Sequence, residues 1–317
     1  MILLKNATYI DRKTLEFKSV NILVEEGING NITFVEDSNV QGVETLDCKG
    51  KLVTKAFAVG HHHVYSALAR GMPSPKKNPT NFNEILQYIW WTLDKALDKE
   101  ILEASALSTA IDCAKAGSTF VIDHHASPNF IEGSLDIIAN AFDKVGVSHL
   151  LCYEITDRDG QERAEKGLCE TENYLKTNQG LIGLHASFTV GDKTMKKASD
   201  LMKKYNSGIH IHVAEDKFDQ KHSVENYGKR VVERLNDFGV LDSSKTILGH
   251  CLYINENERN IIKNSKAFIV QNTESNLNNN VGNFNSKALG RNIILGTDGM
   301  HSDMIRSAQA AFFVGQG

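Results

Sequence analysis

The chain has 317 residues, 41% of them apolar and 23% charged, with a formal net charge of −4 at neutral pH. That length suits one large globular domain, or a large domain with a small one beside it. A mildly acidic balance gives no pull toward nucleic acid or anionic lipid, and no apolar run approaches the roughly 20 residues of a membrane span. The expected partner is therefore a small molecule, in a chain compatible with a homo-oligomer.

The first stretch, "MILLKNATYIDRKTLEF", acquires charge too early for a signal peptide. Beyond it, "VNILVEEG" (20–27) and "NITFVED" (31–37) are apolar, β-branched runs around the turn signal "INGN" (28–31). Residues 1–56 read as a small β-domain, half of a β-sandwich, with no catalytic pattern. The five cysteines, at 48, 113, 152, 169 and 251, form no C-x-x-C pair. Reduced thiols in a cytoplasm are the simplest reading.

From Val59 the pattern alternates strand and helix. One apolar run ends at the triplet His61-His62-His63. Seven more follow: "TFVIDHH" (119–125), "VSHLLCYEITD" (147–157), "LIGLHAS" (181–187), "GIHIHVAE" (208–215), "TILGHC" (246–251), "AFIVQN" (267–272) and "IILGTD" (293–298). Between them lie helical stretches such as 98–117 and 192–208, each expected to stop at its closing glycine. The Asn-rich segment 272–285 reads as a long ordered turn. Eight such units imply a parallel sheet under helices, closed as an α/β (β/α)8 TIM-like barrel over residues 57–317. Such barrels carry their chemistry at the strand C-terminal ends, and most of these runs finish in His, Asp or Glu.

Residues i and i+2 on a strand share a face, so His61 and His63 point together into the barrel mouth and His62 points away. His212, His250 and Asp298 close three later strands and converge on the same rim. Imidazoles with a carboxylate suit Zn²⁺, or Fe²⁺ as the alternative, and leave a position for water. His210 shares a face with His212 but lies one layer deeper, which favours His212 as the ligand. Glu215 is the candidate general acid/base, provided that the chain bends at Ala214. His250 is either a further ligand or a donor that orients the attacking water. Asp298 can ligate the metal and accept a hydrogen bond from that water. Strand four offers His185 rather than a bridging lysine or glutamate, so one divalent ion is expected.

Of the remaining histidines, one of His124 and His125 faces the mouth, and His301 is within reach of it. "EILQYIWWTLDKAL" (84–97) reads as a helix packed on the barrel, with Tyr88 or Trp91 as the alternative cover for a flat ring.

"HHHVYSALARG" (61–71), "GLHASFT" (183–189), "HVAE" (212–215), "LGHC" (248–251), "ESNLNNNVG" (274–282) and "LGTDG" (295–299) together resemble the amidohydrolase superfamily. The similar branch holds the cytosine, guanine, atrazine and S-adenosylhomocysteine deaminases and chlorohydrolases. "VTKAF…GHHHVYSALARGMP" with "VIDHHASP" looks like the SsnA-type aminohydrolases linked to selenium metabolism. The resemblance implies that His61, His63, His212 and Asp298 hold one metal, that Glu215 shuttles protons and that His250 polarises the water or the substrate. It also implies substrate contact from His185, with Arg158 as a second candidate, and from the pair Ser275 and Asn276. Hydrolytic deamination of an amino-substituted nitrogen heterocycle is the activity implied. A cyclic amidase, a chlorohydrolase or an inactive truncated metal-binding homologue are the alternatives. Lys55-Ala56 stands where relatives carry Pro-Gly, a change expected to affect only the turn. The sequence ends 19 residues after Asp298, so the last helix and the β-domain are expected to be incomplete, with exposed apolar edges.

Overall fold

A computed structural model describes residues 1–27, 30–37 and 40–315. The chain divides into two compact units, Met1–Ala56 and Phe57–Gly317.

The first unit is a five-stranded sheet of β1 (Ile2–Ile10), β2 (Phe17–Val24), β3 (Ile32–Val35), β4 (Glu44–Asp47) and β5 (Leu52–Val53). β1 runs antiparallel to β2, which pairs with β3, and parallel to β4 and β5. Of the "INGN" turn, residues 28 and 29 lie outside the described residues. Alternation buries Ala7, Tyr9 and Ile22 on one face, while Phe17, Phe34, Leu46 and Leu52 stay exposed.

The second unit is built on eight parallel strands: β6 (Phe57–His62), β7 (Ser118–His125), β8 (Ser148–Ile155), β9 (Ile182–Ala186), β10 (Ile209–Val213), β11 (Ile247–His250), β12 (Phe268–Gln271) and β13 (Ile293–Leu295). They pair in strict chain order, with a helix-bearing connection between neighbours, as the sequence pattern demands. Their runs are apolar on both faces because each strand lies between the barrel interior and the outer helices; Val59, Val121, Leu151, Ile182, Ile211 and Leu248 are fully buried. The ring closes where the last strand's exit meets the first. Thr297 and Asp298 N–H both donate to His61 O (3.0 and 3.1 Å), and His63 N–H donates to Asp298 O (3.4 Å). Gly60 permits this seam, since a Cβ there would lie 2.7 Å from Leu295 O.

Two local expectations need correction. The helix Lys99–Lys115, capped by Asp98, does end through Gly117 at φ +73°. Its counterpart Asp192–Lys204 stops differently: Asn206 takes the left-handed conformation (φ +46°). Gly208 is required instead by crowding, because a Cβ would sit 2.3 Å from Lys245 O. The segment 272–285 is not wholly turn, since Thr273–Asn278 is helical. No helix among the described residues is long and apolar enough to cross a membrane.

Candidate metal and catalytic centre

The C-terminal rim of the barrel draws ligand-type side chains together from four strand ends. Donor atoms of His61, His63, His212 and Asp298 all lie within 4.8 Å of one another, and all four residues are buried. His63 Nε2 is 3.2 Å from His212 Nε2 and 3.0 Å from Asp298 Oδ1, and His61 Nε2 is 3.2 Å from the same oxygen.

The outer partners fix which nitrogens face inward. His63 Nδ1–H donates to His124 O (2.7 Å) and His212 Nδ1–H to His185 O (2.9 Å). Each Nε2 is thereby left as a lone pair. Two imidazole lone pairs and a carboxylate facing each other in a dry cavity repel unless a cation lies between them. This donor chemistry fits one divalent ion.

His210 completes the third ligand's support. His61 Nδ1–H donates to His210 Nε2 (2.9 Å), and His210 Nδ1 lies 3.8 Å from Cys152 Sγ, whose S–H donates to Asp123 O (3.3 Å). The deeper histidine thus orients His61 and does not join the inward-facing donors. Replacing His210 by Phe is expected to weaken metal affinity about 10- to 100-fold, measured by competition with a chromophoric chelator. Unchanged affinity would show that this chain of hydrogen bonds leaves His61 unaffected.

Beside the donor set, Glu215, His250 and Asp298 form a second cluster within 4.8 Å. The bend that Glu215 needs is present: Ala214 has φ +46°, which turns the carboxyl back to 3.5 Å from His250 Nε2. His250 and Asp298 also sit in left-handed conformations (φ +64° and +55°). Each such non-glycine residue costs about 1–3 kcal/mol, so three at one rim make a strained, preorganised site. Burial, reinforced by the charges of Asp298, Asp219 and Asp216, pushes Glu215 well above the usual carboxylate range. Asp298 moves the other way: burial opposes its charge, but the close approach of the His61 and His63 rings holds it well below the usual carboxylate range. Two neighbouring carboxyls whose proton affinities are pushed apart by their surroundings suit acid–base chemistry.

The sequence profile of the amidohydrolase family matches residues 56–314. The chain belongs to the amidohydrolase family. A 5′-deoxyadenosine deaminase of Methanocaldococcus jannaschii is 29% identical over 314 residues, covering 96% of this chain and 71% of the relative. A 5-methylthioadenosine/S-adenosylhomocysteine deaminase of Caldanaerobacter subterraneus is 28% identical over 91% of this chain and 70% of its own length. The zinc-complexed crystal structure of atrazine chlorohydrolase from Arthrobacter aurescens superposes with a TM-score of 0.79 at 17% identity, over 96% of this chain and 73% of that one. At that identity the likeness speaks for the fold.

The candidate centre opens into a cleft whose walls include Tyr65, Phe82, Trp90, Trp91, Phe188 and Phe218. Trp91 therefore both packs on the barrel and faces the cleft, whereas Tyr88 is turned to Lys77. The local π-helical turn Leu86–Trp90 shifts the register that aims these rings. His185 lines the cleft; burial lowers it to about 3, so its ring is neutral.

Of the expected substrate contacts, Ser275 and Asn276 turn away from the cleft and Arg158 lies in its wall. Ser275 Oγ donates to Asp298 Oδ2 (2.5 Å), and Asn276 Oδ1 accepts from His250 Nδ1–H (2.8 Å). Neither lines the cleft; each orients a residue of the centre. Arg158 does line it, but its guanidinium is bonded to Asp94, to Glu154 (3.1 Å) and to Asp159 (3.1 Å). His124 and His125 are fully buried behind the wall, and His301 pairs with Glu274 at 2.5 Å. Sequence reasoning passed over Glu154, a buried acid at the end of β8 that faces the cleft. Its place at a strand end, the rule that found the others, was the available signal.

Proposed function

We propose that this amidohydrolase is a metal-dependent aminohydrolase that deaminates an amino-substituted nitrogen heterocycle, with adenine nucleosides as the favoured class. The observation that carries the reading is the convergence of His61, His63, His212 and Asp298 beside Glu215 and His250. The two deaminase relatives support the heterocycle, and their names favour deamination over the chlorohydrolase or cyclic amidase alternatives.

In this reading His61, His63 and His212 hold one divalent ion through Nε2, with Asp298 as the carboxylate ligand. Zn²⁺, with Fe²⁺ as the alternative, would supply Lewis-acid activation of water there. Glu215 takes a proton of the attacking water and hands it to the ring nitrogen; the second proton of that water then passes to the amino group, which leaves as ammonia. Asn276 holds His250 by Nδ1, so that Nε2 faces the reacting centre and polarises the attacking water by accepting a hydrogen bond from it. Asp298 accepts a hydrogen bond from the water and keeps it aimed. His185 meets the heterocycle from the strand-four side, between the aromatic walls. The wording around "GHHHVYSALARGMP" and "VIDHHASP" supports an SsnA-type aminohydrolase, and five free thiols support a cytoplasmic setting.

The test is ammonia release by metal-replete protein from a panel of aminopurines, aminopyrimidines and adenine nucleosides. At least one adenine nucleoside should be turned over. A panel with no ammonia, but with hydrolysis of a cyclic amide or a chlorinated ring, would reassign the reaction.

A further inference from the structure

Arg158 is the only side chain of fixed positive charge among the described residues that line the cleft, and each of its three nitrogens already donates to an acid. Asp94, Glu154 and Asp159 take its nitrogens, and Trp91 covers its face, with the ring centroid 5.0 Å from the guanidinium carbon. Its side chain is only 7% exposed. With each nitrogen committed to a carboxylate of its own surroundings, the charge of the guanidinium is already neutralised before a substrate anion arrives. Lys95, which could compensate, is itself paired with Asp159 at 2.8 Å.

What remains facing the cleft is Glu154. Its side chain is 3% exposed and held in place from two sides, by Arg158 Nη1 (3.1 Å) and His124 Nδ1 (3.2 Å). Its carboxylate lies within 4.8 Å of the ring nitrogens of His185 and His212, so it borders the space where the heterocycle would sit. Asp216, at the mouth, adds a second carboxylate, and its own side chain already accepts from Phe218 N (2.8 Å). Acceptors dominate this wall, and its single cation is spent within it.

We infer that the Glu154–Arg158 pair is a charge filter: the site takes neutral or cationic heterocycles that present hydrogen-bond donors to Glu154, and rejects those bearing phosphate or carboxylate. This inference rests on the deaminase reading and narrows its substrate class. Arg158 works as a positioning residue that keeps Glu154 fixed and ionised in a low-polarity wall.

An adenosine series that differs only at the 5′ carbon tests it. The cationic 5′-amino-5′-deoxyadenosine should be processed at least as well, by kcat/KM, as the neutral 5′-deoxyadenosine. Adenosine 5′-monophosphate should be poorer by roughly 50-fold, the factor for one like charge at about 7 Å with an effective dielectric constant near 20. In Glu154→Gln that penalty should largely disappear, to within a few-fold of the neutral nucleoside. A wild-type protein that processes the monophosphate as well as the neutral nucleoside would overturn the inference, whatever the variant does. An unchanged penalty in Glu154→Gln would remove Glu154 from it. If none of the three compounds releases ammonia, the preference for adenine nucleosides fails on its own. The charge order is then read from calorimetric binding of the same three ligands to the metal-loaded protein, where equal or tighter binding of the monophosphate contradicts the filter.

Discussion

Glu215→Gln should lower kcat by about a thousandfold or more while leaving bound metal unchanged. General acid–base groups typically contribute ~10²–10⁴-fold, and here one residue serves as base and then as acid in a single turnover. The carboxyl is placed for this by the left-handed turn at Ala214, and burial beside Asp298 gives it a proton affinity far above that of a surface glutamate. Glutamine keeps the shape and hydrogen-bonding reach but can neither accept nor deliver a proton. Because Glu215 stands outside the four inward-facing donors, metal content should match wild type. Turnover that persists in the variant would move the proton relay to another group, with His250 the nearest.

His63→Ala should empty the centre. His63 Nε2 is the closest neighbour of both His212 Nε2 and Asp298 Oδ1, so its removal opens one side of the coordination space. Metal occupancy after dialysis is expected to fall below about a tenth of wild type, with deaminase activity at background. A ligand that binds only the folded state adds RT ln(1 + [L]/Kd), about 4 kcal/mol at a thousandfold excess over Kd. Chelator should therefore lower the melting temperature of wild type by several degrees and leave that of His63→Ala unmoved. Equal chelator shifts in the two proteins would show that the stabilising ion sits elsewhere.

The barrel and its rim were legible in sequence because both follow from short-range rules. Period-2 geometry separates His61 and His63 from His62, which lies 3.4 Å from Ser302 on the outer side. Eight apolar runs ending in polar residues fix the rim, and "HVAE" with a bend at Ala214 brings Glu215 to it. The cleft wall was legible only in part: Trp91, Arg158 and His185 line it, but the acids around Arg158 were not foreseen. Asp94, Glu154 and Arg158 come from a helix and a strand end far apart in sequence, and no local rule says that an arginine will be saturated by acids. Ser275 and Asn276 sit beside the cleft, yet a short helix turns their side chains to Asp298 and His250. Asn206, not Gly208, ends its helix because asparagine tolerates the left-handed turn and the glycine is needed against Lys245.

Elemental analysis of the purified wild-type protein bears most directly on the centre. The convergent lone pairs of His63 and His212 with the Asp298 carboxylate predict about one zinc or iron ion per chain, lost on His63→Ala. Stoichiometric protein that deaminates its substrate with no transition metal, at well under a tenth of an ion per chain, would contradict the account.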